Sequence, residues 1–411
     1  MNKIAGGIAL AFESHNFRLF WTGQLVNNLT VWINRAGIQW LAWELTHSFA
    51  WLGVIGAASM VPTLIFGPIA GTAADRYGHR RQLLTAASLS AANAFTMGAV
   101  TLAGLINAEI LLALALFGGT TRAFTVPARN AMVHSLVERR HLSAAIGVNA
   151  ATYQGTIFVG AAIGGGIIVV AGSGPAFLTY GVGVVFAFIM VASLDIAPFE
   201  RKPGPRTSFF TELGAGFKYA FAHPGIRKLL LISLLMALSV QPYQELLSGF
   251  ADQVFGGGPG TYTLLFSAGG LGAMLGGLWI ARRGRTHGLT RVMLGHALAA
   301  LIGLGAFAIS PWLWLTLVAT VVTGSGLVVA TTAAMSLVQN AVDSQVRARV
   351  LSMVSVIYVG APAFSAITIG ALASRLGVQG PLFGAALAGL AILALVARAV
   401  LAEAVDMERI D

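Results

Sequence analysis

Only a few side chains in this sequence could carry chemistry, and a compact group of them lies at the junction of two long apolar runs. The group reads Gly71-Thr-Ala-Ala-Asp75-Arg76-Tyr-Gly78-His-Arg80-Arg81. Gly71 would let two helices approach closely, and Gly78 can adopt the positive φ of a sharp turn. Asp75 is an anion that can meet a helix N-terminus or an arginine. These properties predict a tight loop of about six residues between two membrane helices.

Polar side chains inside the apolar runs form a second group. Arg122 lies halfway along the fourth run, where a charge is costly and usually functional; the alternative is a structural arginine bonded to backbone carbonyls. In the first run Asn27, Asn34 and Arg35 can share one helical face, because they are seven or eight residues apart. For the amides, interhelical hydrogen bonding is the alternative. The predicted lining of a central cavity is Asn27, Asn34, Arg35, Gln39, Arg122, Tyr153, Gln241, Gln244 and Tyr358.

A proton site inside a membrane needs a carboxyl group whose surroundings favour protonation near neutral pH. Glu245 is the first choice, because it closes a polar cluster in the seventh run, although it lies towards the outer end of that run. Glu44 and Asp195 also lie towards the ends of their runs, and no acid falls clearly at the middle of one. Glu245 and Arg122 are therefore the predicted proton-coupling residues.

The elements that must position these side chains are membrane helices. The chain of 411 residues is 56% hydrophobic and only 10% charged, whereas soluble domains carry about 25% charged residues. Only helices and closed barrels satisfy the backbone in lipid, and the uninterrupted apolar runs exclude the alternating pattern of a barrel. With about 20 residues per span, twelve helices are predicted, at 17–45, 50–74, 81–106, 109–135, 144–171, 175–196, 226–248, 260–281, 290–309, 312–338, 350–373 and 378–401.

The distribution of basic residues predicts the orientation. The net charge of +10 could suggest a nucleic-acid partner, but nearly all of the 25 Lys and Arg residues lie at the termini and in alternate loops. Arg375 is the only one assigned to the opposite side. Both termini are therefore expected in the cytoplasm, and no nucleic acid is expected as a partner. No cleavable signal is evident, because Glu13, His15 and Arg18 precede the first apolar run.

Enzyme chemistry finds no support in the sequence. There are no cysteines, no phosphate-binding loop and no metal-ligand spacing among the eight histidines. Gly164-Gly165-Gly166 lies within an apolar span and is explained by helix packing. We expect no enzyme activity, no cofactor and no metal site.

The chain is an internal duplication with an offset of 206 residues. Gly71 then meets Gly277, Gly78 meets Gly284, and Gly174-Pro175 meets Gly380-Pro381. Two six-helix bundles related by a pseudo-twofold axis follow, at 1–197 and 226–411. The connection at 198–225 is predicted to hold an amphipathic helix on the membrane surface, because Phe210, Leu213, Phe217 and Phe221 recur at helical spacing. Arg35 meets Gln241 at the same offset, so both are expected to face the cavity at similar depth.

The pattern G-xxx-D-R-x-G-x-R-R matches the signature loop between helices 2 and 3 of the major facilitator superfamily, which the chain resembles over its whole length. The stretches 127–145, 212–227 and 342–350 resemble the branch of the enterobactin exporter and the macrolide efflux proteins. The resemblance implies a helix-4 arginine that couples to protons or substrate, and Ala161 stands where antiporters of the superfamily carry proline. The implied gating loop, in which Asp75 contacts the start of helix 11 and a basic residue, consists of Gly71, Asp75, Arg76, Gly78, Arg80, Arg81 and Arg129.

These observations predict a secondary active transporter of the bacterial cytoplasmic membrane that works by alternating access. We expect export of a small organic or amphipathic molecule in exchange for protons, by a monomer surrounded by membrane lipids. Two alternatives stay open. One is an importer or facilitator on the same fold, and the other is a flippase for lipids such as lysophospholipids.

Overall fold

The computed structural model describes residues 12–138, 141–196, 214, 219, 223–342 and 347–408. Within this described part the regular elements are all helical, and no strand occurs. The helices are α1 His15–Thr46, α2 Phe49–Tyr77, α3 His79–Leu102, α4 Ala108–Leu136, α5 Leu142–Ala171, α6 Ser173–Ala192, α7 Pro224–Phe255, α8 Pro259–Arg283, α9 Leu289–Ile309, α10 Leu313–Ala341, α11 Arg347–Leu376, α12 Gln379–Ala402 and the short α13 Ala404–Glu408.

The helices α1–α12 correspond to the twelve predicted spans. Eleven of them are long and apolar enough to cross a membrane. The remaining helix, α1, has 32 residues, which is ample length for a span, but its two arginines, its glutamate and its asparagine and glutamine side chains lower its hydropathy. The chain is therefore an all-helical, multi-pass membrane protein, and the predicted fold class is confirmed.

Contacts divide the chain into two compact units. The first comprises residues 1–46 and 58–204, and the second comprises 47–57 and 205–411. The first unit has an apolar core at one end of its helices, where Phe17, Phe20 and Met132 are almost fully buried. In the second unit Phe250 stacks on Phe307 with ring centroids 4.2 Å apart. The predicted linker helix at 198–225 lies almost entirely outside the described residues.

Two of the spanning helices are interrupted, and each interruption involves a proline. Helix α2 consists of Phe49–Ala58 and Val61–Tyr77, with Pro62 in the first turn of the second piece. Helix α7 consists of Pro224–Ser239 and Tyr243–Phe255, with Pro242 directly before the second piece. Proline removes a backbone donor and clashes with the preceding turn, so a continuous helix is disfavoured at both places.

Helix α7 also ends later than predicted, at Phe255 instead of 248. The sequence boundary was wrong because the polar residues around Gln244 and Glu245 resemble the end of a span. Glu245 therefore lies ten residues before the end of α7, which is about 15 Å at the helical rise of 1.5 Å per residue. This is about half of a hydrocarbon core that is about 30 Å thick, so the acid is deeper in the span than its predicted position.

The connection between α2 and α3 is a single residue, Gly78, and not the predicted loop of about six residues. Helix α2 continues through Asp75 and Arg76 to Tyr77, and α3 begins at His79. The predicted positive φ of Gly78 is confirmed at 91°, a value that residues with a Cβ rarely adopt. The backbone N–H of Gly78 donates to the carbonyl of Ala74 at 2.9 Å and so closes the last turn of α2.

In each unit the first helix is tied to the end of the sixth. In the first unit the side chain of Asn16 donates to the carbonyl of Asp195 at 2.6 Å and accepts from its N–H at 3.0 Å. In the second unit Lys228 donates to the carbonyl of Ala399 at 3.0 Å and to the Glu403 carboxylate at 2.8 Å. The same task is therefore performed by a neutral amide in one unit and by an ion pair in the other.

Helix α13 adds a second charged tie in the second unit. The carboxylate of Glu408 accepts from the backbone N–H groups of Gly288 at 2.5 Å and Thr290 at 2.9 Å, at the start of α9. These donors have no partner within α9, so the carboxylate acts as an external N-terminal cap. Partial burial disfavours the charged form, but the hydrogen bonds from Thr290 and Gly288 outweigh it, and the pKa of Glu408 is lowered from 4.5.

Candidate substrate and proton sites

Helix α4 places two arginines on one face inside the first unit. Arg122 lies at the centre of the helix, fourteen residues from both Ala108 and Leu136, and its side chain is exposed. Arg129 follows seven residues later, or two turns, and is half-buried. The two guanidinium groups interact electrostatically. A charge that faced lipid at this depth would be strongly disfavoured, so we expect this face of α4 to line a polar space.

Helices α1 and α5 bring an amide and an aromatic ring to Arg129. The amide oxygen of Asn28 accepts from Nη1 of Arg129 at 3.4 Å, and Arg129 also interacts electrostatically with Tyr153. The Tyr153 ring lies 6.2 Å from that of Trp32, and Arg35 lies over Trp32 at 5.4 Å in a cation–π contact. We call the set Asn28, Trp32, Arg35, Arg122, Arg129 and Tyr153 the cationic cluster.

The acids of the first unit lie elsewhere. Each Asp and Glu residue that the structure describes in this unit lies within three residues of a helix end, either inside the helix or just beyond it. The interiors of α1–α6 therefore contain arginines but no carboxylate in this part of the chain. The acids concerned are Glu13, Glu44, Asp75, Glu109, Glu138 and Asp195.

The second unit contains the buried acid. Glu245 is 4% exposed and lies in the first turn of the second piece of α7. A Cβ built on Gly56 would lie 2.7 Å from Oε2 of Glu245, so this glycine leaves room for the carboxyl group. Glu245 thus lies where a helix is interrupted, beside a residue that has no side chain.

A cleft of about 320 Å³ lies between α10 and α11 in the second unit. The phenol of Tyr358 donates to the carbonyl of Thr331 at 3.1 Å and lies 3.4 Å from the hydroxyl of Ser233. The cleft carries hydroxyl, amide and thioether groups but no charge among its lining residues, which are Thr331, Thr332, Met335, Ser336, Gln339 and Tyr358.

The structure brings together only part of the predicted cavity lining. Arg35, Arg122 and Tyr153 lie in the cationic cluster, and Tyr358 lines the cleft. Gln39 is almost fully buried at 3% exposure. Four other predicted residues are half-buried in α1 and α7; they are Asn27, Asn34, Gln241 and Gln244.

The predicted cavity lining did not include two members of the cationic cluster, Asn28 and Trp32. Asn28 is one of several polar residues in the first run, and Asn27 beside it was chosen for its spacing from Asn34 and Arg35. A signal was available, because Asn28, Trp32 and Arg35 are spaced by four and three residues and so share one face of α1.

The predicted gating residues do not assemble around Asp75. Asp75 is exposed and forms no hydrogen bond or ion pair with any residue that the structure describes. Arg76 lies 5.3 Å from the ring of Tyr77, and Arg80 donates to the carbonyl of Ala192 at 2.5 Å, at the end of α6. In this structure Arg76, Arg80 and Arg129 therefore have neighbours other than Asp75. The predicted contact of Asp75 with the start of helix 11 concerns residues 343–346, which lie outside the described residues.

Two further members of the predicted loop have less specific surroundings. Arg81 is exposed at the start of α3. A Cβ on Gly71 would meet nothing within 4 Å among the described residues. The close helix approach predicted at Gly71 is therefore absent in this part of the chain.

Comparison with known proteins decides the family. The model of a family described as "Transmembrane secretion effector" matches residues 8–410. The chain belongs to this family of the major facilitator superfamily. The predicted membership of the superfamily, and the resemblance to its efflux branch, are thereby confirmed.

Several characterised transporters are similar to this member of the family. The Staphyloferrin A transporter of Staphylococcus aureus is 24% identical over 247 residues, which is 60% of each chain. Macrolide efflux protein A of Streptococcus pyogenes is 23% identical over 70% of this chain and 71% of its own length. Multidrug resistance protein 1 of Bacillus subtilis is 24% identical over 52% of each chain. The match thus spans between half and three quarters of these relatives.

Solved structures show the same fold at low identity. A bacterial homologue of the human lysosomal transporter Spinster superposes with a TM-score of 0.71 at 14% identity, covering 95% of this chain and 98% of that one. The xylose transporter XylE from E. coli has a TM-score of 0.68 at 11% identity, covering 93% and 95%. At these identities the similarities establish only the fold of this chain.

Among the described residues, no group of three or more His, Asp or Glu could hold a metal ion.

Proposed function

We propose that this protein exports a small organic or amphipathic molecule from the cytoplasm by alternating access, driven by proton antiport. The family match over residues 8–410 carries the proposal, because the family is described by secretion and the match includes all twelve spans. The relatives named for macrolide efflux and multidrug resistance support the same direction.

The orientation follows from the basic residues. Arg76, Arg80 and Arg81 lie where α2 meets α3, and Arg282 and Arg283 lie at the end of α8. Basic residues concentrate on the cytoplasmic side of membrane proteins. We place these ends, together with both termini, in the cytoplasm of a bacterial cell, with the protein acting as a monomer in the inner membrane.

Glu245 is the proposed proton site. It is the buried acid of the described spans, it lies about 15 Å from the end of α7 at the usual helical rise, and it adjoins the interruption of that helix. An interrupted helix has local freedom to change direction, so protonation of Glu245 can be coupled to movement of the two pieces of α7. Intramembrane acids of this kind commonly form proton relays.

Asp75 stays a candidate for gating in a second conformation. In this conformation it is exposed at the end of α2, so it is available to pair with a helix N-terminus when the transporter rearranges. Replacement by asparagine would then slow transport without lowering the amount of folded protein in the membrane.

Flux measured in everted membrane vesicles tests the direction. With an acidic interior, we expect vesicles that contain the protein to accumulate an exported compound from a panel of siderophores, macrolides, dyes and lysolipids. Vesicles without the protein, and vesicles treated with a protonophore, are the controls. Accumulation of the same compound by right-side-out vesicles would show an importer, and movement of lysolipid between leaflets without a pH gradient would show a flippase.

A further inference from the structure

The charges of the first unit indicate the chemistry of its ligand. Arg122 and Arg129 lie well inside α4, and no carboxylate lies inside the described spans of this unit. Arginine stays protonated in proteins, so the site cannot lose its charge by releasing a proton. A permanent positive charge at this depth requires a compensating group.

Other arginines of this chain show how a purely structural arginine is satisfied. Arg80 donates to the carbonyl of Ala192, and Arg283 donates to the carbonyls of Arg285 at 3.1 Å and His287 at 2.6 Å. Arg122, by contrast, forms no hydrogen bond with a described residue. Among the described residues, Arg129 donates to Asn28 over a long distance of 3.4 Å. The helix-4 arginines thus retain donors that a ligand can use.

The geometry also provides an apolar surface. Tyr153 lies beside Arg129, and the ring of Trp32 lies 6.2 Å from that of Tyr153. Seven residues of helix separate the two arginines by about 10 Å along α4, so a molecule of ordinary drug size can reach both. Guanidinium groups bind carboxylate and phosphate in a bidentate manner, and aromatic rings bind the apolar part of such a molecule.

We propose that the cationic cluster is the binding site for an amphipathic organic anion, held by Arg122 and Arg129 through a carboxylate or phosphate group and by Trp32 and Tyr153 through its apolar body. This inference rests on the proposed transport function and adds the charge of the substrate. A lipophilic cation, the opposite class, would be repelled by the same arginines.

Matched pairs of probes test the sign of the charge. Purified protein would be titrated with 2-naphthoate and 2-naphthylmethylamine, and with carboxyfluorescein and rhodamine 123, each pair having a similar apolar body. We expect both anions to bind more tightly than their partner cations. The double variant Arg122→Gln, Arg129→Gln should bind the anions at least about tenfold more weakly, since a hydrogen bond to a charged group contributes about 1.5–3 kcal/mol.

Two further variants keep the test decisive. Arg398→Gln removes one positive charge from the exposed surface near the end of α12 and should leave the preference for anions unchanged. Arg122→Lys, Arg129→Lys retains the charges and should recover part of the affinity. The inference is overturned if neither anion is preferred over its cation, or if the preference survives in the double glutamine variant.

The source of the anionic group requires a separate arm. Lysophosphatidylglycerol carries a net negative headgroup charge, and lysophosphatidylcholine carries none. Binding of lysophosphatidylglycerol that is tighter than binding of both lysophosphatidylcholine and 2-naphthoate would identify a lipid headgroup as the ligand. Failure of the inference also differs from failure of the proposed function. Uptake of rhodamine 123 into everted vesicles, unaffected by the arginine variants, would preserve export and refute the anionic site. Absence of flux for the whole panel would refute export.

Discussion

The two units are copies of one plan, but they place different chemistry at equivalent positions. At the offset of 206 residues, Arg129 corresponds to Met335, Trp32 to Leu238 and Gln39 to Glu245. The first unit therefore holds permanent positive charges inside its fourth helix, and the second holds an uncharged cleft and a buried acid. Duplication supplied the scaffold, and divergence separated two tasks that we assign to ligand binding and to proton coupling.

The backbones of the equivalent helices α1 and α7 also differ. Helix α1 is continuous through Ala36, whereas its counterpart α7 is interrupted at Pro242, the residue equivalent to Ala36. A rigid helix suits a site that must hold fixed charges in place. An interrupted helix suits a site in which a change of protonation must move the backbone.

Introducing a proline into the continuous helix α1 should have the largest effect on stability. Ala36→Pro places a proline inside a continuous helix at a fully buried position, which should cost about 3 kcal/mol or more. Pro242→Ala acts where the helix is already interrupted, so its effect should be about 1 kcal/mol. Thermal unfolding in detergent measures both, and equal shifts would contradict the contrast between α1 and α7.

Glycines at equivalent positions give the next prediction. A Cβ on Gly324 in α10 would collide with the carbonyl oxygen of Gly269 in α8, which cannot move without shifting the helix. Its counterpart Gly118 in α4 would place a Cβ 3.2 Å from the flexible side chain of Asn93. Gly324→Ala should therefore destabilise the protein by about 1–3 kcal/mol, and Gly118→Ala by clearly less. The reverse order of melting temperatures would show that the first unit is the more tightly packed.

The smallest predicted effect concerns pH. The pKa of Glu408 is lowered in the folded protein, so the ionised carboxylate stabilises the fold. This stabilisation is complete above the unfolded-state pKa of about 4.5 and is lost as the pH falls through the lower pKa of the folded state. Glu408→Gln removes an N-terminal cap and should cost about 1 kcal/mol at pH 7. Its melting temperature should approach that of the unmodified protein below pH 4.5.

The neutral tie of the first unit supplies the control for this pH effect. Asn16→Ala removes hydrogen bonds to the backbone of Asp195 and no charge, so its effect should be the same at both pH values. The ion pair of the second unit should behave like Glu408, since the hydrogen bond and charge of Lys228 hold the pKa of Glu403 below 4.5. If the difference in melting temperature between Glu408→Gln and the unmodified protein persists below pH 4.5, the charged carboxylate of Glu408 is not the stabilising group.

The sequence predicted the fold well because apolar length, repeats and glycine conformation are local properties. The twelve spans, the duplication and the positive φ of Gly78 all follow from patterns that neighbouring residues define. The six-residue loop was wrong because charged residues at 75–76 were read as leaving the helix, although an exposed final turn accommodates them.

The sites were predicted less completely, because they depend on contacts between distant residues. Arg122 could be found from its depth in one helix, but the approach of Asn28 to Arg129 joins residues 101 positions apart. The contact of Arg80 with the end of α6 at Ala192 likewise joins residues that are far apart in the sequence. Depth along a helix can be read from a sequence, whereas the neighbour across a helix interface cannot.

The central claim is that the first unit binds the substrate and the second unit couples it to protons. Proteoliposomes with a transported compound test this claim most directly, with pH-driven uptake and substrate exchange at equal pH as two readouts. We predict that Glu245→Gln loses pH-driven transport but retains binding and exchange, whereas Arg122→Ala loses both. Full pH-driven transport by Glu245→Gln, or full exchange by Arg122→Ala, would contradict the division of tasks between the two units.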